Sequence, residues 1–298
     1  MLSYQCPLVV PEFPPLSGLA KYNDDTYITV SDEKDNTSPR VFFLEFLTEE
    51  KQRFYPINIE WGDELAKNKP TDIESVCYFE DQIWILESGP YADAKSLIDK
   101  QQSRLISLEL VHPRIPLFSN LKPTYRPNLT IKMPNDVVNI ESMDCWSQNG
   151  QMRIITAERG SESSESLIST YEVQDRKLVK IGVPLTAPKL DALKTKIEDA
   201  EVRWLSDLDI SQEWEPKTVW AVGALDTGES TTMSGVLYQL GSIDKHGTFK
   251  LKQGLETCRL FANDKPEGLV TTANPAEFLV VSDNEDFGRV LLNMNCAN

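Results

Sequence analysis

Asp72-Ile73-Glu74-Ser75-Val76, Asn139-Ile140-Glu141-Ser142-Met143 and Lys265-Pro266-Glu267-Gly268-Leu269 are three copies of one phrase, a glutamate heading an apolar strand. A weaker copy is Asp199-Ala200-Glu201-Val202. Leu16-Ser17-Gly18-Leu19 holds the same place near the N-terminus with serine for glutamate. From Ser17 the successive spacings to Glu74, Glu141, Glu201 and Glu267 are 57, 67, 60 and 66 residues. Self-similarity at a long, steady period is the mark of a repeat architecture. The phrase also sets carboxylates at equivalent positions.

Downstream of the phrase each unit reads alike. The apolar strand runs into a turn rich in Asn, Asp, Gln or Gly, such as Glu80-Asp81-Gln82 or Gln148-Asn149-Gly150. A β-branched and aromatic second strand follows, as in Thr26-Tyr27-Ile28-Thr29-Val30 and Gln82-Ile83-Trp84-Ile85-Leu86; runs of this kind bounded by turn residues are strands. A third strand opens three times with arginine, at Arg40, Arg104 and Arg289, and a more polar fourth completes most units. Four antiparallel strands repeated radially predict an all-β, five-bladed β-propeller of four-stranded blades in one domain spanning residues 1–298, with six blades as the alternative. The last unit runs out of chain after its third strand, so Leu2 to Val10 is predicted to supply its outer strand and close the ring. Tyr91 to Gln102 and Leu190 to Glu198 read as short helical excursions, the second with apolar residues at Leu190, Leu193 and Ile197.

Composition sets outer bounds. Hydrophobic residues make up 40% of the 298 and charged residues 26%, enough for a packed core. A formal charge of −16 argues against nucleic acid or an anionic membrane as partner, since both need a basic face. It suits a cation or a basic protein. No stretch approaches a membrane span, and Met1 to Phe13 lacks the pattern of a signal peptide. The expectation is a cytoplasmic protein, unless a signal peptide has been removed, and a monomer. Cys6, Cys77, Cys145, Cys258 and Cys296 form no CxxC pair and are odd in number, which signals neither a zinc site nor a full disulfide framework. Cys77 and Cys145 fall in apolar strands and read as small hydrophobes.

The inner strand of each propeller blade lines the channel, so the phrase places Ser17, Glu74, Glu141, Glu201 and Glu267 in one ring. Several carboxylates in a narrow channel raise one another's pKa unless compensated. A hard cation does this, and Ca²⁺ takes 6–8 oxygens in flexible geometry. The other solution is an internal network, with Arg40, Arg104 and Arg289 at hand. Loops after the second strands carry Asp32 to Asp35, Glu87, Glu158 with Arg159, Asp226 and Asp283, and crowd one mouth of the channel. Both histidines, His112 and His246, sit in turn-like surroundings, and no GxSxG, P-loop or GxGxxG occurs.

The repeat from Leu16 through Asp32, with Pro39-Arg40-Val41 following, resembles the esterase-like phytase domain. Glu141-Ser142-Met143-Asp144-Cys145-Trp146, Val219 to Ala224, Ser234 to Tyr238 and Lys265 to Leu269 resemble the calcium-activated nucleotidase (apyrase) family. That resemblance implies a five-bladed propeller with axial calcium at Ser17, Glu74, Glu141 and Glu267, with Glu201 where the family tends to have serine. It departs at Ser31-Asp32-Glu33-Lys34 and Glu158-Arg159, where the family carries more arginine. Two expectations follow. One is a Ca²⁺-dependent phosphoric or carboxylic ester hydrolase acting on a small anionic substrate. Asp32, Glu87 or Asp283 is its base, and Arg40 and Arg159 hold the substrate. The other is a non-catalytic acidic propeller that binds a basic protein.

Overall fold

The computed structural model describes residues 14–31, 40–48, 51–66, 69–70, 72–88, 103–111, 123–134, 139–160, 165–190, 201–211, 216–226, 234–254, 257–272, 274, 277–284 and 288–295. The first blade is β1 (Ser17–Lys21), β2 (Thr26–Val30), β3 (Val41–Thr48) and β4 (Lys51–Pro56). After β5 (Asn58–Ile59) and the helix α1 (Gly62–Ala66), the second holds β6 (Ile73–Phe79), β7 (Gln82–Glu87), β8 (Arg104–Leu110) and β9 (Thr124–Lys132), with β5 parallel to β9 at its rim. The third is β10 (Ile140–Gln148), β11 (Gln151–Glu158), β12 (Leu167–Gln174) and β13 (Lys177–Thr186). The fourth is β14 (Glu201–Ser211), β15 (Lys217–Asp226), β16 (Ser234–Ile243), β17 (Phe249–Leu251) and β18 (Thr257–Ala262). The fifth is β19 (Pro266–Thr271), β20 (Glu277–Asp283) and β21 (Gly288–Asn295). Within each blade the strands pair antiparallel in chain order from the inside out.

Five blades stand, and the six-bladed alternative falls. Each innermost strand packs against the next, and β19 packs back against β1, so the inner ring is closed among the described residues. The helix α1 and the split outer edge of the fourth blade, where β17 and β18 both pair with β16, were not foreseen. The expected N-terminal closing strand at 2–10 and the expected helices at 91–102 and 191–198 lie outside the described residues. Leu190 is described, and it is buried in the core shared by the third and fourth blades.

Apolar residues on alternate strand positions fill the spaces between blades. Trp146 and Ile155 of the third blade pack with Val202, Trp204, Ala221 and Tyr238 of the fourth. Ile28 and Phe43 of the first pack with Val76, Ile85 and Ile106 of the second. Period-2 strands with both faces covered produce this arrangement, because each blade is sandwiched between neighbours.

An innermost strand has one free edge, and unpaired backbone groups there are costly when buried. The preceding blade supplies the partners. Ser75 Oγ donates to the Met143 carbonyl at 3.1 Å and accepts the Met143 N–H at 2.9 Å. Asp144 takes the Ile210 N–H at 2.7 Å, Asp207 that of Leu269 at 2.8 Å, and Asp209 that of Thr271 at 3.0 Å along with the Thr271 hydroxyl. Between the second and third blades the matching positions are Cys77 and Cys145, joined as a disulfide. These two cysteines are not the free hydrophobes expected from sequence. Cys258 is disulfide-bonded as well.

Candidate functional site

The clasps fix which residues stand level around the channel. Ser75 follows Glu74 by one residue and grips Met143, two beyond Glu141. Asp207 grips Leu269, two beyond Glu267. Asp207 is therefore the counterpart of Ser75, and the residue before it, Ser206, holds the ring position of the fourth blade. The second tier agrees: Asp144, three beyond Glu141, takes the N–H of Ile210, and Asp209, three beyond Ser206, takes that of Thr271.

The strand pairing explains the displacement. Each inner strand carries a register shift at its head, around Gly18, Glu74, Glu141 and Glu267. In the fourth blade the shift spans three residues, because Arg203 pairs with Ala224 while Asp207 pairs with Val222. Trp204, Leu205 and Ser206 then face only Gly223, where a Cβ would stand 2.8 Å from the Trp204 carbonyl. The backbone of Glu201 pairs with Asp226, five residues ahead of the ring position, so Ser206 replaces Glu201 in the ring. Ser17 keeps its place: its neighbour Gly18, at φ +64°, lies against Ser75 on one side and Gly268 on the other. A Cβ on Gly18 would come within 2.7 Å of the Ser75 Cα.

The ring is thus Ser17, Glu74, Glu141, Ser206 and Glu267, all buried. Cationic side chains reach into it from the flanking segments. Arg159, just past the second strand of the third blade, grips both oxygens of Glu141: Nε lies 3.0 Å from Oε1, and Nη2 donates to Oε2 at 3.1 Å. Arg203, which precedes the bulge of β14, sets Nη1 2.5 Å from Glu267 Oε1 and 3.9 Å from Glu141 Oε2. Lys265 places Nζ 2.8 Å from Asp283 Oδ2 and 3.7 Å from Glu267 Oε1. A chain of alternating charge runs Arg159, Glu141, Arg203, Glu267, Lys265, Asp283.

Burial pushes the Glu267 carboxyl up to about 7, with Glu141 and Asp283 adding to the push while Arg203 and Lys265 oppose it. For Lys265 burial works against the charge, but Glu267 and Asp283 outweigh it and hold the ammonium charged well above its usual range. The lysine is positioned from behind. Its backbone N–H donates to Asn284 Oδ1 at 3.0 Å, Asn284 donates to Asp264 at 3.1 Å, and Arg289 donates to the same oxygen at 3.2 Å.

The expected catalytic and substrate residues separate. Asp283 and Arg159 join the cluster. Glu87 instead pairs with Arg104 of the adjacent strand at 2.5 Å, and both are buried. Arg40 is buried at the head of the third strand of the first blade. Asp32 lies outside the described residues, as does His112. Sequence reasoning missed Arg203, Lys265 and Ser206. The motif Leu205-Ser206-Asp207-Leu208 matches Leu16-Ser17-Gly18-Leu19 and was the available signal for the serine.

The donor set bears on the expected calcium. A Ca²⁺ ion needs 6–8 oxygens with open lone pairs. Here both oxygens of Glu141 and one of Glu267 already face guanidinium or ammonium groups. As arranged, these residues fit a network of ion pairs and do not fit a calcium cage. Among the described residues the one grouping of ligand-type side chains close enough to hold a metal is Cys77, Asp144 and Cys145, and its two sulfurs are joined to each other.

No family model matches the chain, and no curated protein does either. Solved structures do. A thermostable family-43 glycoside hydrolase superposes with a TM-score of 0.57 at 12% identity, over 96% of this chain and 91% of the other. The GH43 endo-arabinanase from Bacillus licheniformis gives 0.51 at 12%, over 94% and 96%. The Bombyx mori GH32 β-fructofuranosidase BmSUC1, as its D63A mutant with sucrose, gives 0.53 at 10%, over 94% and 59%. At these identities the likeness establishes a shared fold and nothing finer.

Proposed function

We propose that this chain is a hydrolase that works without a metal, acting on a small anionic ester or glycoside at the ring end of the channel. The observation that carries the reading is the convergence of Glu141, Glu267 and Asp283 with Arg159, Arg203 and Lys265 in a buried axial cluster. Carboxylates and cations collected out of water are the parts needed to hold an anionic group and to move a proton to a leaving oxygen. The hydrolases among its structural neighbours agree with this reading in kind.

In the proposed reaction Glu267 gives its proton to the leaving oxygen as the bond to the acyl, phosphoryl or glycosyl centre breaks. Asp283, which shares Lys265 with Glu267, takes a proton from the attacking water. Arg159 and Arg203 hold the substrate's negative charge. Glu87 plays no part, because its buried pair with Arg104 engages it structurally. The calcium-dependent form of the reaction is set aside on the donor set described above.

A second reading rests on a specific observation: Glu141 and Glu267 are both paired with cations of the chain itself, as in a purely structural plug. With the −16 charge, that favours a non-catalytic propeller for a basic protein partner. Disulfide-bonded Cys77, Cys145 and Cys258 favour an oxidising compartment over the cytoplasm expected from sequence.

One assay separates the two. A panel of aryl esters, phosphate monoesters, nucleotides and aryl arabinosides is offered with excess EDTA. Turnover that survives EDTA and drops about 10²-fold or more in Glu267→Gln is the expected result. Silence across the panel favours the non-catalytic propeller.

A further inference from the structure

We infer that Asn128 is an N-glycosylation site, which takes an oligosaccharide as the chain passes through a secretory compartment. Asn128-Leu129-Thr130 has the form Asn-x-Thr with no proline in the middle, the acceptor triplet for that modification. Asn36-Thr37-Ser38 has the matching form with serine, and it lies outside the described residues.

The fold leaves the Asn128 triplet in solvent. It belongs to β9, three strands out from β6 at the channel. Leu129 packs against the core and Ile131 is buried in it, while the alternate residues Asn128, Thr130 and Lys132 are exposed. The pairing with β8 changes register here. Ser107 faces Leu129 and Leu108 faces Pro127, which leaves Asn128 as the extra residue of a bulge. Among the described residues the other edge of β9 is paired only at Thr124 and Tyr125, by β5. A sugar on the Asn128 amide therefore meets water instead of a neighbouring strand.

The cysteines point to the same route. Cys77, Cys145 and Cys258 are disulfide-bonded, the state of a chain that has passed through an oxidising compartment. In the transfer, Asn128 Nδ2 bonds to the anomeric carbon of a lipid-linked diphospho-oligosaccharide. The bond from that carbon to the phosphate oxygen breaks, and the lipid diphosphate leaves with the electron pair. The amide gives one proton to a base of the transferase, which reads the Thr130 hydroxyl two residues on. The site is on the outer rim, so its failure and the failure of the hydrolase reading are separate.

The full chain, made behind a cleavable signal peptide in insect cells, provides the test. Secreted and cell-retained protein are both mapped by peptide mass spectrometry. Glycan on Asn128 in most chains is expected, and a peptide amidase should release it from the native protein, leaving aspartate at that position. Thr130→Ala should abolish the modification at Asn128, and Thr130→Ser should keep it. Asn128 unmodified in most of both pools overturns the inference. So does a modification that survives Thr130→Ala, or a glycan released only after denaturation.

Discussion

Replacing Cys77 and Cys145 together by alanine removes the one covalent clasp described between two inner strands. The bridge joins residues 68 apart in sequence, from the second blade to the third. Loop-closure entropy, taken as −2.1 − 1.5R ln n cal/mol/K, gives about 4.4 kcal/mol at 25 °C for a loop of this length. An unfolding entropy of about 2.1 cal/mol/K per residue over 298 residues comes to about 0.63 kcal/mol/K, so the expected drop in Tm is about 7 °C. Differential scanning calorimetry of the double variant and wild type under non-reducing conditions reads this directly. Thiol titration under denaturing conditions should show neither Cys77 nor Cys145 in the native protein. Alanine avoids leaving a buried hydroxyl, so the loss reports the bridge rather than a new unsatisfied group. A drop below about 2 °C, or two reactive thiols mapped to these positions, would refute the clasp.

Two further outcomes are expected. Glu87→Gln should cost about 3–5 kcal/mol, because it strips the charge partner from buried Arg104, yet it should leave kcat within about twofold for any substrate found; urea denaturation and steady-state kinetics on one preparation check both. Burial pushes Asp209 up to about 6 against the pull of the Thr271 donors, and burial raises Asp144 and Asp207 as well. The folded state therefore holds protons more tightly than the unfolded chain, and stability should fall as pH rises from about 4 through about 6. Asp209→Asn keeps an acceptor for the Thr271 N–H and should flatten that slope, whereas an unchanged slope would remove Asp209 from the explanation.

Much of the fold was legible because its cause is local. Alternating apolar residues between turn clusters mark each strand, and the glutamate phrase marks the second, third and fifth blades, with Leu16-Ser17-Gly18-Leu19 marking the first. Arginine at the third-strand heads was legible for the same reason, and Arg104 does compensate a buried carboxylate, though Glu87 rather than a ring glutamate. The fourth blade defeated the pattern because three bulged residues shift the phrase, drawing attention to Glu201 when the equivalent position is Ser206. The Cys77–Cys145 bridge was hidden for a geometric reason. Neighbouring inner strands meet with a one-residue stagger, so the third residue past one ring position faces the fourth past the next. Asp144 with Ile210 and Asp209 with Thr271 follow the same stagger. Arg203 and Lys265 carry no motif of their own. Their role comes only from how far a long side chain reaches across the axis, and a linear sequence does not display that distance.

The most direct test lies at the axis itself. Crystals grown with CaCl₂ and a parallel set soaked in MnCl₂ would be measured for anomalous scattering at the ring. The expected map shows the planar guanidinium of Arg203 between Glu141 and Glu267, Arg159 forked on Glu141, and no anomalous peak among them. A metal peak coordinated by Glu74, Glu141 and Glu267, with Arg203 turned away, would contradict a ring neutralised by the chain's own cations.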